Sequence, residues 1–181
     1  MNSKKVVIIT GASSGIGLKT ALFLKDKDYK VYTVSRSKVN EEGLYSIQAD
    51  VTDENVLFEA YSNIFKKEGR IDILINNAGM GISGSVEATT YIDAKQMFDI
   101  NFMGMFLSTK AVLPMMRTQS YGKIINISSV AANLPIPFQA FYSSSKAAIN
   151  AFSEALHIEL KPFHIDVCTV LPGDIKTGFT K

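Results

Sequence analysis

Two residues in "AFYSSSKAAINAF", residues 140–152, could pass a proton: Tyr142 and Lys146, a phenol and an ammonium four positions apart. They read either as ordinary positions on an amphipathic helix or as the acid and the tuner of an active site, and the pair alone leaves both open. Ser129 closes "NISS" thirteen residues before Tyr142, and Asn101 stands in "FDINFMGMF" inside a helical stretch. The apolar neighbours of Asn101 predict partial burial, so its amide needs partners. Paired serines at the end of a strand carry little by themselves.

More chemistry collects just after the apolar runs. "TGASSGIG", residues 10–17, spaces Gly11, Gly15 and Gly17 as G-x-x-x-G-x-G. Such a turn can bring backbone amides and a helix N-terminus to a pyrophosphate, with Ser13 and Ser14 as added hydroxyl donors. Without a ligand it is simply a glycine-rich turn. "VSRS" puts Ser35 and Arg36 where many NAD-binding sheets carry an acidic residue for the ribose 2′-OH. A guanidinium there suits a 2′-phosphate, so NADP is expected over NAD; the plain alternative is a solvated surface Arg. Asp50 could accept from an adenine amino group and Val51 could pack on the ring, although Asp at a strand end is also a routine turn former. "NNAG", 76–79, offers amides that can tie neighbouring strands, and a small-residue floor at Ala78 and Gly79 for a flat cofactor.

Positioning these groups falls to alternating elements. Nearly continuous apolar runs predict strands at 4–10, 30–36, 44–50, 70–79, 122–128 and 164–172. Helices are expected from the glycine turn through "GLKTALFLKDK", over 53–68 with Asp53 near the N-terminus, over 90–117, and around Tyr142 as far as Pro162. Pro114 should kink or end the third. This alternation predicts an α/β fold: a Rossmann-like, doubly wound parallel sheet with helices on both faces and ligands at the carboxyl ends of the strands. No internal repeat or low-complexity linker divides residues 1–181, so a single NADP-binding domain is expected.

A net charge of +2, with 46% hydrophobic and 20% charged residues, gives no basic surplus for nucleic acid. One cysteine, Cys168, and two histidines, His157 and His164, exclude an internal disulfide and a multi-His zinc centre, and no metal site is expected. No apolar run reaches the roughly 18–20 residues of a membrane span, and "MNSKKVVIIT" leaves no room for a signal peptide. A cytoplasmic protein acting on a small molecule, away from membranes, is the expectation. Cys168 reads as a small buried hydrophobe, His157 as a packing or subunit-face residue, and His164 as a surface residue.

"TGASSGIG", "NNAG", Asn101, Ser129, "YSSSK" and "PGDIKT" (172–177) stand in the order and spacing of the short-chain dehydrogenase/reductase (SDR) family, which essentially the whole chain resembles. The stretch from "GKIINISS" to "ELKPF" is similar to the branch of hydroxysteroid and retinol dehydrogenases, and ketoacyl reductases share its motifs. The resemblance implies hydride transfer between NADP(H) and a carbonyl or secondary alcohol on a lipophilic substrate. It implies Tyr142 as general acid in reduction and base in oxidation. A free Tyr titrates at about 10, so that role asks for a nearby positive charge. Lys146 would supply it from the same helix face, about 6 Å along the axis, and would also bind the nicotinamide ribose. Ser129 would hydrogen-bond the substrate oxygen, and Asn101 would hold a water in a proton relay ending at Lys146. Pro172, Gly173, Ile175 and Thr177 would close over the nicotinamide, with Gly11, Ser13, Ile16, Arg36, Asp50, Val51 and Asn77 lining the remaining channel. A homodimer or homotetramer through the helices bearing Asn101 and Tyr142 is implied, and Ala147, Ala148, Ala151 and Ala155 would permit that close packing. The serines between Tyr142 and Lys146 read as small residues that let a cofactor and a neighbouring helix approach.

Family members usually continue beyond the equivalent of Lys181 with a substrate lid and a seventh strand. Both are missing from the 181 residues, so a C-terminally truncated chain with six strands is expected, its sixth strand an apolar edge. The alternative to an enzyme is a truncated nucleotide-binding module without turnover, regulatory or scaffolding in role.

Overall fold

In the computed structural model, which describes residues 4–175, six parallel strands form one sheet in the order β3-β2-β1-β4-β5-β6. β1 (Val6–Thr10) lies between β2 (Lys30–Ser35) and β4 (Ile73–Asn76). β3 (Leu44–Gln48) flanks β2, and β5 (Gly122–Ile127) stands between β4 and β6 (Ile165–Val170). The strand order reverses between β1 and β4, the place where an open α/β sheet holds ligands at the carboxyl ends of its strands.

β1 is buried along its whole length, as its unbroken run of Val and Ile requires. Val6 and Ile8 join one core with Leu57 and Tyr61 of α2 (Glu54–Glu68), Val112 and Met116 of α4 (Gly104–Gln119), and Leu160 of α5 (Ala140–Leu160). Val7 and Ile9 join the other with Ala21 of α1 (Gly15–Asp26). Helices therefore cover both faces, and the expected doubly wound Rossmann-like sheet is what forms.

Side chains and glycines set the helix ends. Asp53 caps α2 by accepting from the Val56 amide at 3.1 Å, and Gly69, at φ 70°, closes the other end. Thr90 caps α3 (Tyr91–Phe98) through the Asp93 amide. The helix expected over 90–117 is three pieces: α3, a π turn at Asp99–Met103, and α4. Pro114 neither ends α4 nor marks the irregularity, since the helix runs on to Gln119. The roughly 3 kcal/mol that a mid-helix proline costs is offset by burying Val112, Met115 and Met116, each worth about 1.5–3 kcal/mol.

Cys168, expected to be buried, is exposed. β6 is the outer strand, and among the described residues no helix covers its second face, where Asp166 and Val170 are exposed as well. Ile165 and Val167, on the α5 side, are buried. His157 and His164 are exposed. No helix among the described residues is long and apolar enough to cross a membrane.

Candidate active site

Each strand's carboxyl end delivers one group of the expected residues. After β1, Gly11 adopts φ 65° and donates its amide to the Val34 carbonyl at 2.8 Å. A Cβ at Gly11 would lie 2.6 Å from Ala78 Cα, and one at Gly17 would lie 2.6 Å from the Gly11 carbonyl oxygen. These two glycines therefore make room first for the chain itself. Asn77 fastens the turn, its Nδ2 donating to the carbonyls of Thr10 at 3.1 Å and Gly11 at 3.0 Å. Thr10 Oγ1 accepts from the amides of Asn77 and Ala78, each at 3.1 Å, a buried bracket that no motif announced. Ser13 and Ser14 are exposed, Gly15 has φ 57° and Ile16 is half-buried. Ser14 is the N-cap residue of α1 but makes no side-chain cap, and no acidic residue follows in the first turn. The first amides of α1 thus keep the capacity to bind an anion.

After β2, Ser35 Oγ donates to the Ser37 carbonyl at 2.7 Å, while Arg36 is exposed and takes no part in an ion pair among the described residues. The Ala49 amide donates to the Ser35 carbonyl at 3.0 Å, which sets the turn after β3 beside this strand end. There Asp50 Oδ1 accepts from the Thr52 amide at 2.9 Å and the Thr52 hydroxyl at 2.8 Å, and Val51 is buried. A glycine turn with an uncapped helix start, next to an unpaired guanidinium, fits a dinucleotide carrying a 2′-phosphate.

After β5 the geometry tightens. Lys146 is 4% exposed; its Nζ donates to the Ile127 carbonyl at 2.9 Å and lies 5.7 Å from the centroid of the Tyr142 ring. No carboxylate pairs with it among the described residues, and burial pulls its pKa down to about 8. Ser128 Oγ donates to the Lys146 carbonyl at 3.1 Å. Ser129 Oγ accepts from the Ala131 amide at 3.1 Å, which leaves the hydroxyl proton for another acceptor. A Cβ at Gly79 would lie 3.2 Å from Asn101 Oδ1 and 3.6 Å from Lys146 Nζ, so the loop after β4 closes on the same point.

Asn101 is fully buried in the middle of the π turn. Its Oδ1 accepts from the Met80 amide at 2.7 Å, and its Nδ2 donates to the Met80 carbonyl at 2.9 Å and to Ser145 Oγ at 3.0 Å. Ser145 donates onward to the Tyr142 carbonyl at 2.8 Å. Both amide hydrogens are thereby spent on tying the loop after β4 to α5, so a water could meet this side chain only at Oδ1. The serines of "YSSSK" are more than small: Ser143 and Ser145 are buried, and Ser143 Oγ accepts from the Ile136 amide at 3.4 Å. A hydroxyl three positions after Tyr142, on its own helix face, was the signal that could have revealed Ser145. Asn76 does tie strands, donating to Asn126 Oδ1 at 2.8 Å across β4 and β5. After β6, the Pro172 carbonyl accepts from the Val130 amide at 3.1 Å; Gly173 borders open space and Ile175 is exposed. Thr177 lies outside the described residues.

The chain is similar to known proteins in sequence and in fold. A 3-ketodihydrosphingosine reductase of Bacteroides thetaiotaomicron is 46% identical over 177 residues, covering 97% of this chain and 66% of the relative. A probable short-chain type dehydrogenase/reductase of Helicobacter pylori is 41% identical, covering 97% of this chain and 67% of the relative. The chain thus spans about two thirds of the length of these curated relatives. The solved structure of ElxO with NADP bound matches with a TM-score of 0.92 at 35% identity, covering 97% of this chain and 75% of that one. Matched by the short chain dehydrogenase family over residues 5–181, the chain belongs to that family.

Proposed function

We propose that the chain is the cofactor-binding and catalytic part of an oxidoreductase that interconverts a carbonyl and a secondary alcohol with NADP(H) on a lipophilic substrate. The observation that carries this reading is Lys146, a buried ammonium without a carboxylate partner among the described residues, 5.7 Å from the Tyr142 ring. A charge so placed is costly for the fold, and it favours the phenolate of its neighbour. In reduction, Tyr142 gives its phenolic proton to the carbonyl oxygen; in oxidation it takes one from the alcohol. Ser129 donates its free hydroxyl proton to the same oxygen. Lys146 spends one N–H on Ile127 and keeps two that suit ribose hydroxyls. Asn101 acts by clamping Met80 and Ser145 beside this pair.

The dinucleotide, when bound, supplies or takes up the hydride. Gly11, Ser13, Ser14, Gly15, Ile16 and Gly17 would hold its pyrophosphate, and Ser35 and Arg36 its 2′-phosphate. Asp50 and Val51 would take the adenine. Asn77, Ala78 and Gly79 would border the ribose, with Pro172, Gly173, Ile175 and Thr177 at the carboxamide. Structures of ElxO with NADP and with NADPH bound support this cofactor. Leu134, Ile136 and Phe138 stand exposed between Ser129 and Tyr142, and the Phe138 carbonyl is tied to the Gly84 amide at 2.8 Å. Such an apolar lip suits a lipophilic ketone, as does the likeness to a 3-ketodihydrosphingosine reductase. Pairing of two copies through α4 and α5 belongs to the same reading, supported by the exposed Ala147, Ala151 and Ala155.

The test is NADPH oxidation by the chain against a panel of ketones that includes 3-ketodihydrosphingosine, with NADH alongside. Tyr142→Phe should lower turnover by about 10²–10⁴-fold while NADPH binding stays close to that of the unaltered chain. Retained turnover in that variant would refute the mechanism. Binding of NADPH without turnover of any ketone would favour a nucleotide-binding module, and equal affinity for NADH would remove the role given to Arg36.

A further inference from the structure

We infer that Gly104 is a positioning residue for the adenine end of the cofactor site, because its missing side chain lets α4 close on Val51. Gly104 is the first residue of α4, directly after the π turn, and it is buried. A Cβ there would lie 2.7 Å from Val51 Cγ2 and 3.1 Å from Val51 Cβ. Valine is stiff at χ1, and Val51 is itself buried, so its methyl groups have little freedom to turn away. The turn that carries Val51 is braced on both sides. Asp50 Oδ1 accepts from the amide and hydroxyl of Thr52, the Asp53 amide donates to the Asp50 carbonyl at 3.1 Å, and Asp53 caps α2. Displacing Val51 therefore displaces Asp50 with it.

Three residues before Gly104, Asn101 holds Met80 and, through Ser145, the Tyr142 carbonyl. One short helical stretch thus touches both ends of the site, the adenine turn through Gly104 and the helix of Tyr142 through Asn101. The inference rests on the NADP(H) reading of Asp50 and Val51 and goes beyond it by assigning the placement of their turn to Gly104.

Calorimetric titration with adenosine 2′,5′-bisphosphate, which carries the adenine and 2′-phosphate but no nicotinamide, tests this on the unaltered chain, Gly104→Ala, Val51→Ala and the double variant. Gly104→Ala should weaken binding about tenfold or more, as an overpacked contact predicts. The double variant should bind about threefold or more tightly than Gly104→Ala, because only the 3.1 Å approach then remains. A defect that does not arise from the contact with Val51 predicts no such gain, since Val51→Ala then only adds a cavity. Gly104→Ala binding within about twofold of the unaltered chain, or a double variant no tighter than Gly104→Ala, overturns the inference. If Gly104→Ala does not fold, the double variant is set against Val51→Ala: affinity within about threefold supports the inference and a loss of about tenfold overturns it. No binding by the unaltered chain removes the NADP(H) reading and this inference together. Binding by the unaltered chain keeps that reading whatever the variants do.

Discussion

Lys30 and Lys146 sit at opposite ends of the sheet, and their surroundings move them in opposite directions. Lys30 begins β2 at the amino edge and donates to Glu68 at 2.8 Å; Glu68 also accepts from the Tyr32 hydroxyl at 2.6 Å. The Tyr32 ring stacks on Tyr45 at 4.9 Å, and Lys30 lies over the Tyr45 ring. The hydrogen bond to Glu68 raises the Lys30 pKa. Burial pushes Glu68 upward, but the bonds from Lys30 and Tyr32 outweigh it and hold the carboxyl below its usual range. Lys146 donates to the Ile127 carbonyl and meets no carboxylate among the described residues, and desolvation brings it down to about 8. At the amino edge charges satisfy one another; at the carboxyl edge a charge is buried with no carboxylate beside it among the described residues. A buried group shifted by desolvation alone is a candidate for function, whereas a paired one is accounted for by structure.

The largest effect expected from breaking this contrast is at Lys146. Lys146→Met should lower turnover by about 10²–10⁴-fold. The same change should raise stability at pH 7 by on the order of 1–3 kcal/mol, because the cost of burying the charge disappears. A lower melting temperature in that variant would break the comparison. The pH dependence follows with a definite sign. The folded value of about 8 lies below the ordinary 10.5, so between these values the unfolded chain binds more protons. Stability contributed by Lys146 therefore rises as pH goes from about 8 toward 10.5. Denaturant titrations at pH 7.5 and 10 should show this rise in the unaltered chain relative to Lys146→Met. Lys30→Met is the smallest. It should cost about 1 kcal/mol by leaving Glu68 with fewer partners, and leave NADPH binding and turnover unchanged. Loss of cofactor binding in that variant would erase the distinction between the two edges.

The six strands are readable in the sequence because five are compact apolar runs and β3, Leu44–Gln48, follows in the same alternation, and the carboxyl-edge residues follow from where the strands stop. What is not readable depends on contacts from elsewhere in the chain. Gly11 and Gly17 are visible as glycines, but their tight neighbours, Ala78 and Asn77, come from the far end of β4. Pro114 attracts the expectation of a break, whereas the irregular turn forms around Asn101, whose partners Met80 and Ser145 are 21 and 44 residues away. Cys168 looks like core because β6 is apolar, yet exposure depends on which face of an outer strand a helix covers. Thr10 and Ser128 are hydroxyls whose bracing role appears only once strands and helices are in place.

The contrast between the two lysines is tested most directly by titrating the Lys146 ammonium in the cofactor-free chain by NMR of nitrogen-labelled lysine, with Lys146→Met to assign the signal. A pKa of about 8 is expected. A value at or above the 10.5 of an ordinary lysine would contradict the picture of a buried charge with no carboxylate beside it among the described residues.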